Sequence, residues 1–206
     1  MDSIAFIKQF PVVTFSKGDV LLSEGQPSTS LFAIQTGFVK VTSLDENGAE
    51  NLLWIEGRYD TVPTEKFFSL RDTVQFFYTA LSDGAYYDID KKSFLEYAHD
   101  NPGLMGEIAA NMSSHYDDLL QRVNSIEQVT VQKKLIATLC YLAEKLSASE
   151  VVDFTQEGLR LTHSDFAAMV GSTRETVSLE LQKLKTAGLI YYDKSSFVVY
   201  LDKLKI

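Results

Sequence analysis

The chain has 206 residues, of which 45% are hydrophobic, and carries a formal net charge of −9. That hydrophobic share is ordinary for a globular chain that buries a core, and the length suits one large domain or two small ones. The only cysteine, Cys140, excludes a disulfide framework and a multi-cysteine metal or iron–sulfur site within one chain.

The N-terminal residues 1–10 show no basic segment followed by a long apolar run. No stretch approaches the ~18 consecutive apolar residues that a membrane-spanning helix needs. We therefore expect a soluble, cytoplasmic protein without a signal peptide.

The charge is unevenly distributed along the chain. Residues 160–206 carry a net charge of +2, which leaves −11 on the first 159 residues. This asymmetry indicates two modules with different partners. The mildly positive module can still bind a polyanion, because the local field near the bound charges matters most.

The first ~100 residues are predicted to be rich in β-strands, because short runs of β-branched, aliphatic and aromatic residues are separated by Gly, Pro or Asn-Gly turn signals. This spacing is typical of a sandwich or barrel. The predicted strands are 12–15, 20–22, 31–34, 38–42, 50–56, 74–81 and 85–89.

Aromatic residues are dense in the second half of this region. We interpret them as filling a β core and covering its rim, in preference to a dedicated ligand box. They are Phe67, Phe68, Phe76, Phe77, Tyr78, Tyr86 and Tyr87.

A long helix is predicted from Pro102 to Glu127, since the residue before a proline disfavours helix and proline suits the first helical turn. Its apolar residues recur at spacings of 4, 3, 4 and 3, which is a heptad-like stripe. One face could pack on the β domain and another on a second copy of the chain, but an ordinary amphipathic core helix explains the stripe equally well. The stripe consists of Met112, Tyr116, Leu119, Val123 and Ile126.

A further helix is predicted over 131–146, with its apolar face formed by leucines at helical spacing. The runs 151–155 and 159–161 flank Gln156-Glu157-Gly158 and predict a small hairpin.

The most informative segment is Thr162–Lys185. Thr162 is a good N-cap with Asp165 three residues on, which predicts a short helix ending at Val170. Gly171 suits a tight, left-handed turn, and Thr173 caps a second helix. A small residue, a glycine turn and inward-facing aliphatic residues at this spacing are typical of a helix-turn-helix.

In a helix-turn-helix, the N-terminal residues of the second helix lie at base edges in the DNA major groove. Arg174 can donate two hydrogen bonds to guanine, and Glu175 can accept one from cytosine. Ser172, Thr173, Thr176 and Ser178 complete this turn, the first three as short hydroxyl donors suited to phosphate oxygens. As isolated residues, Arg174 and Glu175 would be interpreted as solvated charges; the 24-residue pattern favours DNA reading.

Lys185-Thr186-Ala187-Gly188 predicts the end of the second helix at a glycine. The predicted strands 189–192 and 196–201 then form a wing. Lys194, at the tip of this wing, is positioned to contact phosphate, although a loop lysine is more often only solubilising.

Along its full length the sequence resembles the CRP/FNR superfamily of bacterial transcription regulators. The resemblance is carried by Phe15–Leu21, Glu24-Gly25, Leu31–Ile34, Gly37 and Val39–Val41, and most specifically by Thr173–Ser178.

The resemblance implies an α+β fold: a β-roll of the cyclic-nucleotide-binding type over 1–101, a dimerisation helix over 102–128 and a winged helix-turn-helix over 129–206. It implies a homodimer that binds double-stranded promoter DNA, with RNA polymerase as a further partner. It also implies that Arg174 and Glu175 read bases and that His163 and Ser164 contact phosphate or bases.

The sequence departs from this family at several positions. Many members have a second arginine four residues after the glutamate, where this chain has Leu179. Members that bind cyclic AMP carry a Gly-Glu pair, expected near Pro63-Thr64-Glu65, and an Arg-Ser pair, expected near Val74-Gln75; neither is present. A buried phosphate without the arginine would be unpaired, which is costly, so we expect no cyclic-AMP binding of the usual kind.

No cofactor is expected. The cysteine count excludes an FNR-type iron–sulfur cluster, and His99 and His115, which could be considered for heme, are more simply surface or core residues. The chain shows no phosphate-binding glycine loop, His-Glu-x-x-His or Gly-x-Ser-x-Gly motif, so we expect no enzyme activity. The remaining alternative is a winged-helix module for protein–protein interaction with a sensory β-roll, which the acidic total charge favours.

Overall fold

The computed structural model describes residues 6–27, 29–63 and 73–204. The chain forms two compact units, Met1–Ser43 with Ile55–Asp117, and Leu44–Trp54 with Asp118–Ile206. Within the described ranges, no helix has the length and apolar character that crossing a bilayer requires.

The N-terminal strands form two four-stranded sheets, as the dense turn signals predict. The strand order is β1-β8-β3-β6 in one sheet and β2-β7-β4-β5 in the other. The strands are β1 (Val12–Phe15), β2 (Val20–Leu22), β3 (Ser30–Thr36), β4 (Val39–Leu44), β5 (Glu50–Glu56), β6 (Thr61–Val62), β7 (Phe77–Ala80) and β8 (Gly84–Asp90).

The two faces of the β3–β8 pair bury different residue sets, because side chains alternate along a strand. On one face Tyr86 stacks on Phe32 and Phe15, with ring centroids 4.3 Å and 6.2 Å apart. The other face packs against helical residues in one hydrophobic cluster: Phe6, Leu31, Ala33, Ile89, Phe94 and Ile108. The aromatic residues therefore fill a β core here, as predicted; Phe67 and Phe68 lie outside the described residues.

Two successive helices follow the last strand of this region. Helix α1 (Lys91–Asp100) begins where the Asp90 carboxylate accepts a hydrogen bond from the Ser93 backbone N–H at 2.8 Å. This helix was not predicted. Helix α2 (Pro102–Ile126) confirms the predicted long helix to within one residue at its C-terminus.

The C-terminal elements surround a core that the 3.6-residue periodicity predicts. Helix α3 (Val131–Leu146) is capped by Thr130 and buries Leu135, Leu139 and Leu142. The other elements are β9 (Val151–Asp153), α4 (His163–Val170), α5 (Arg174–Thr186), β10 (Ile190–Tyr192), β11 (Phe197–Tyr200) and α6 (Leu201–Leu204).

The predicted hairpin over 151–155 and 159–161 is wrong. Strand β9 pairs with β11, with Val152 opposite Val199, in a three-stranded sheet ordered β10-β11-β9. Residues 159–161 form no strand, yet Leu159 is 1% exposed. The segment is apolar because a loop residue is buried in the core, and this produces the same sequence pattern as a strand.

Candidate nucleic-acid interface

Helix α4 begins with a complete capping box. The Thr162 hydroxyl oxygen accepts from the Asp165 backbone N–H at 3.1 Å, and Asp165 Oδ2 accepts from the Thr162 N–H at 2.7 Å. The helix ends at Gly171, whose φ of +62° lies in the left-handed region that favours glycine. Both ends therefore confirm the boundaries predicted from sequence.

The second helix of the motif is held against the first by a buried apolar face. Val177, Leu181 and Leu184 are at most 1% exposed, and Ala167 on α4 is 6% exposed. A small residue at Ala167 allows the two helices to approach closely. The predicted inward face of α5 is confirmed, and its opposite face is left toward solvent.

The first turn of α5 combines a hydroxyl cap with two exposed charges. Thr173 Oγ1 accepts from the Thr176 backbone N–H at 3.2 Å and lies 3.0 Å from Thr176 Oγ1. Arg174 and Glu175 are exposed. A carboxylate here is favoured by the positive end of the helix dipole, so Glu175 is compatible with a stable helix start. Because the two hydroxyls share a single hydrogen bond, one of their two protons is left to donate to another acceptor, such as a phosphate oxygen.

A chain of hydrogen bonds connects this turn to α4. Ser178 Oγ donates to the Arg174 carbonyl oxygen at 2.7 Å and lies 2.8 Å from His163 Nδ1. Because the serine hydroxyl has one proton, which it gives to Arg174, His163 Nδ1 must be the donor to Ser178. Burial, reinforced by the Arg174 charge, lowers the pKa of His163 below its ordinary value of 6.5. The neutral ring therefore presents Nε2 as an acceptor.

His163 also contacts the wing. Its ring meets Tyr192 edge-on with centroids 5.6 Å apart, and Tyr192 stacks on Phe197 at 5.7 Å. Lys185 on α5 donates from Nζ to the Tyr192 carbonyl oxygen at 2.6 Å, with Nζ 4.6 Å from the ring centroid. His163, Tyr192 and Lys185 thus tie both helices of the motif to the wing.

Sequence reasoning missed the roles of Tyr192 and Lys185. The adjacent pair Tyr191-Tyr192 was the available signal, because an aromatic residue in a short strand after the recognition helix can pack back on that helix. The partner identities depend on tertiary contacts, which no local pattern contains.

The wing turn is organised by Asp193. One carboxylate oxygen accepts from the Ser195 N–H, the Ser195 hydroxyl and the Ser196 N–H at 2.7–2.9 Å, and the other accepts from the Tyr191 hydroxyl at 2.7 Å. The Tyr191 hydrogen bond, followed by those from Ser195 and Ser196, holds the pKa of Asp193 well below its usual range. This fixed turn presents Lys194 as an exposed side chain.

The structure therefore brings most of the predicted residues together. Ser172, Thr173, Arg174, Glu175, Thr176 and Ser178 share the turn and first helical residues of α5, and His163 contacts them through Ser178. Ser164 is exposed on the first turn of α4, and Lys194 is exposed on the wing. An exposed helix start flanked by a wing can enter a DNA groove while its charges remain available.

The position expected for a cyclic-nucleotide signature is only partly described. Val74 is 1% exposed, so its aliphatic side chain is part of the core. Thr64 and Glu65 lie outside the described residues. Within the described residues, no group of three or more His, Cys, Asp or Glu side chains is arranged to hold a metal ion.

Two family models match the chain. The cyclic nucleotide-binding domain model matches residues 12–101, and the Crp-like helix-turn-helix domain model matches residues 133–205. Over 195 residues the chain is 24% identical to the cAMP-activated global transcriptional regulator CRP of Escherichia coli O6:H1, a match covering 95% of this chain and 92% of that protein.

Solved structures agree with these matches. TTHA1359 of Thermus thermophilus, a transcriptional regulator of the CRP/FNR family, is 25% identical with a TM-score of 0.71, covering 95% of this chain and 96% of that one. FixK2 of Bradyrhizobium japonicum is 16% identical with a TM-score of 0.80, covering 95% of each chain, and supports the fold alone.

Proposed function

Because this chain belongs to the CRP/FNR superfamily and is a DNA-binding transcription regulator, we propose that it acts as a homodimer that reads a specific operator through the first turn of α5. The observation that carries this proposal is the arrangement of Arg174 and Glu175, exposed at the start of a helix that His163 and the wing hold in place.

The proposed roles follow the chemistry of each side chain. Arg174 donates to guanine and Glu175 accepts from cytosine. Ser172, Thr173 and Thr176 contact phosphate. Ser164, on the first turn of α4, and Lys194, on the wing, do the same on either side of α5. His163 and Ser178 are hydrogen-bonded to each other, so each can contact DNA only through atoms outside that bond. For His163 this atom is Nε2.

The homodimer is supported by the apolar stripe of α2. Several of its residues are exposed: Met112 39%, Tyr116 61%, Val123 50% and Ile126 40%. Leucine-rich or mixed apolar stripes at heptad-like spacing are buried when two such helices pair. The proposed division into an effector-type domain (1–101), a dimerisation helix (102–128) and a DNA-binding domain (129–206) follows from this role.

We do not assign cyclic AMP as the effector, although the E. coli relative is a cAMP-activated regulator. The sequence lacks the Gly-Glu and Arg-Ser pairs at the expected positions, and valine at position 74 offers no charge to a cyclic phosphate. The β-roll either binds an effector other than cyclic AMP or has lost its ligand. The DNA-bound dimer contacts RNA polymerase and performs no catalysis of its own.

The test is selection of bound sequences from a random DNA pool, with and without a small-molecule extract. A palindromic site with half-sites about one helical turn apart is expected for a dimer. Binding to that site should weaken steeply with mismatches and only gradually with salt, because few cations face the DNA. The protein–protein interaction module becomes the better interpretation if no sequence is enriched under either condition.

A further inference from the structure

The recognition helix carries an apolar residue that its fold does not use. Leu179 is 65% exposed, whereas the core-facing Val177 and Leu181 are fully buried. It follows Glu175 by four residues, so the two side chains are neighbours on one helix face. The rest of that face is polar or charged: Arg174, Glu175, Ser178 and Gln182.

Core packing does not account for a leucine at this position. Burial of a leucine stabilises a fold in proportion to the apolar area removed from water, and a side chain that stays exposed gains little of that free energy. A single exposed leucine elsewhere on a protein needs no explanation. At this position, however, the leucine lies beside the two residues proposed to read bases, so bound DNA would cover it.

We propose that Leu179 is a specificity-determining residue that packs against the C5-methyl group of a thymine in each half-site. This inference rests on the proposed function. Thymine is the only ordinary base that presents a methyl group in the major groove. Leucine offers no hydrogen bond to a base edge, so a guanine or cytosine at this place loses water without a replacement partner.

The test uses the operator obtained by selection and removes the methyl group alone. Each thymine of the half-site is replaced in turn by deoxyuridine, and the Kd is measured for the wild type, Leu179→Ala and Leu179→Met. One deoxyuridine position is expected to weaken wild-type binding about fourfold per half-site, the effect of one buried methyl-sized group. A 5-methylcytosine in place of cytosine at that position should recover part of the binding.

Leu179→Ala should bind deoxyuridine and thymine alike at that position, while Leu179→Met keeps the preference. Discrimination at the base pair read by Arg174 should not change in either variant. The inference is wrong if no thymine-to-uracil change affects the wild type, or if Leu179→Ala keeps the same sensitivity. Those outcomes leave sequence-specific binding intact and so differ from a failure of the proposed function.

A second, independent observation concerns Arg122, near the end of α2. The residue is 7% exposed, and all of its recorded partners belong to the second compact unit. Nε donates to the Leu53 carbonyl oxygen at 2.9 Å, Nη1 to Ser125 Oγ at 2.8 Å, and Nη2 to the Leu52 carbonyl oxygen at 3.1 Å and to that of Met169.

These acceptors are all uncharged. Burial lowers the pKa of Arg122 to about 10, so the guanidinium stays protonated at neutral pH. Met169 lies in the last turn of α4, where the helix carbonyls carry partial negative charge that stabilises a cation. The planar five-donor guanidinium can reach strand, helix and hydroxyl acceptors at once, which an ammonium group cannot do in the same geometry.

The geometry assigns Arg122 as a positioning residue that holds α4 against the C-terminal part of α2 and the middle of β5, and so orients the helix-turn-helix for DNA. It does not touch DNA itself. If Arg122 couples α4 to β5, DNA that binds the motif should also change the surroundings of β5. Trp54, the only tryptophan in the chain, directly follows Leu53 and supplies the probe.

The experiment compares Arg122→Met and Arg122→Lys with Arg58→Met, a control that removes an exposed arginine. Arg122→Met keeps an unbranched apolar side chain but leaves the carbonyl acceptors of Leu53 and Met169 without their donor, so its free energy of unfolding is measured beside its affinity. Operator affinity should fall at least tenfold in Arg122→Met and less in Arg122→Lys, with affinity for random DNA unchanged. Operator should change Trp54 emission in the wild type and in Arg58→Met but not in Arg122→Met.

The assignment is wrong if Arg122→Met binds the operator as tightly as the wild type does. It is also wrong if operator changes Trp54 emission in Arg122→Met as much as in the wild type, or does not change it in the wild type at all. If Arg122→Met does not fold, the lysine variant decides, because it keeps the charge and loses the fork. An Arg122→Lys protein with full affinity and full Trp54 response then contradicts the proposal.

Discussion

At the scale of single residues, His163 joins the parts of the interface that sequence reasoning treats separately. It contacts Ser178 on α5 and Tyr192 on the wing from its place at the start of α4. Both contacts suit a neutral ring, and the neighbouring Arg174 disfavours a second positive charge. The protonation state of His163 therefore affects how α4, α5 and the wing are held together.

This connection predicts an acid-sensitive fold. Because the pKa of His163 is lower in the folded chain than its ordinary value of 6.5, the unfolded chain takes up the proton first as the pH falls. The contribution to the free energy of unfolding is complete above about pH 6.5 and is lost as the pH falls through the folded-state pKa. Urea unfolding at pH 7.5 and 5.5 should show a smaller pH effect in His163→Gln than in the wild type; identical pH effects would contradict this.

Arg174 yields the second prediction at this scale. Arg174→Ala should weaken operator binding by ~1–3 kcal/mol and relax the preference at one base pair. Lys183→Ala is the control, since Lys183 is paired with Glu180 at 2.7 Å and should contribute little to base reading. Affinities are measured on the operator and on single-base variants. A loss of equal size on every sequence would indicate a phosphate contact instead of base reading.

At the scale of secondary-structure elements, a glycine in β8 allows that strand to approach β3 closely. A Cβ at Gly84 would overlap the Thr36 carbonyl oxygen and the Phe15 ring. Gly106 on α2 has nothing within 4 Å of its would-be Cβ. The same substitution should therefore have opposite effects at the two positions.

Gly84→Ala is expected to lower the free energy of unfolding by ~1–3 kcal/mol, because the backbone oxygen of Thr36 cannot move aside without breaking the sheet. Gly106→Ala is expected to raise it by ~1 kcal/mol through helix propensity. Equilibrium denaturation of both variants provides the comparison. Equal effects of the two changes would show that the close approach at Gly84 is not limiting.

How far the sequence predicts these elements depends on whether the signal is local. The capping box at Thr162, the left-handed Gly171 and the buried face of α5 follow from residues three to seven positions apart, and all are confirmed. The missed helix α1 lacks a clean apolar stripe, since it buries only Phe94 and Ala98. The pairing of β9 with β11 and the contact of His163 with Tyr192 join distant segments, so no local pattern predicts them.

At the scale of the whole molecule, the proposed dimer rests on the exposed stripe of α2. Val123 and Ile126 are 50% and 40% exposed on a 25-residue helix. Apolar side chains in this arrangement are unfavourable in water and favourable between paired helices. The partner that we propose is a second copy of the chain, since such a dimer would also provide two DNA-reading helices.

Val123→Glu should therefore convert the dimer to a monomer and reduce operator affinity together with it, because a carboxylate in the helix pair is desolvated without a partner. Gln121→Glu adds the same charge on the same helix but away from the stripe, and it should leave the dimer intact. Sedimentation equilibrium measures the oligomeric state of both. A dimeric Val123→Glu protein would rule out the stripe as the interface.

The exposed face of α5 has a consequence for the environment in which the protein works. Lys183 pairs with Glu180, and the Lys185 ammonium donates to the Tyr192 carbonyl oxygen. Arg174 is therefore the cation of α5 that is best placed to meet DNA. Each phosphate neutralised adds about −0.9 to the slope of log affinity against log salt, so an interface with few cations has a shallow slope. Under osmotic stress, when the salt inside a cell rises, a regulator built this way would stay on its operator while more highly charged competitors dissociate.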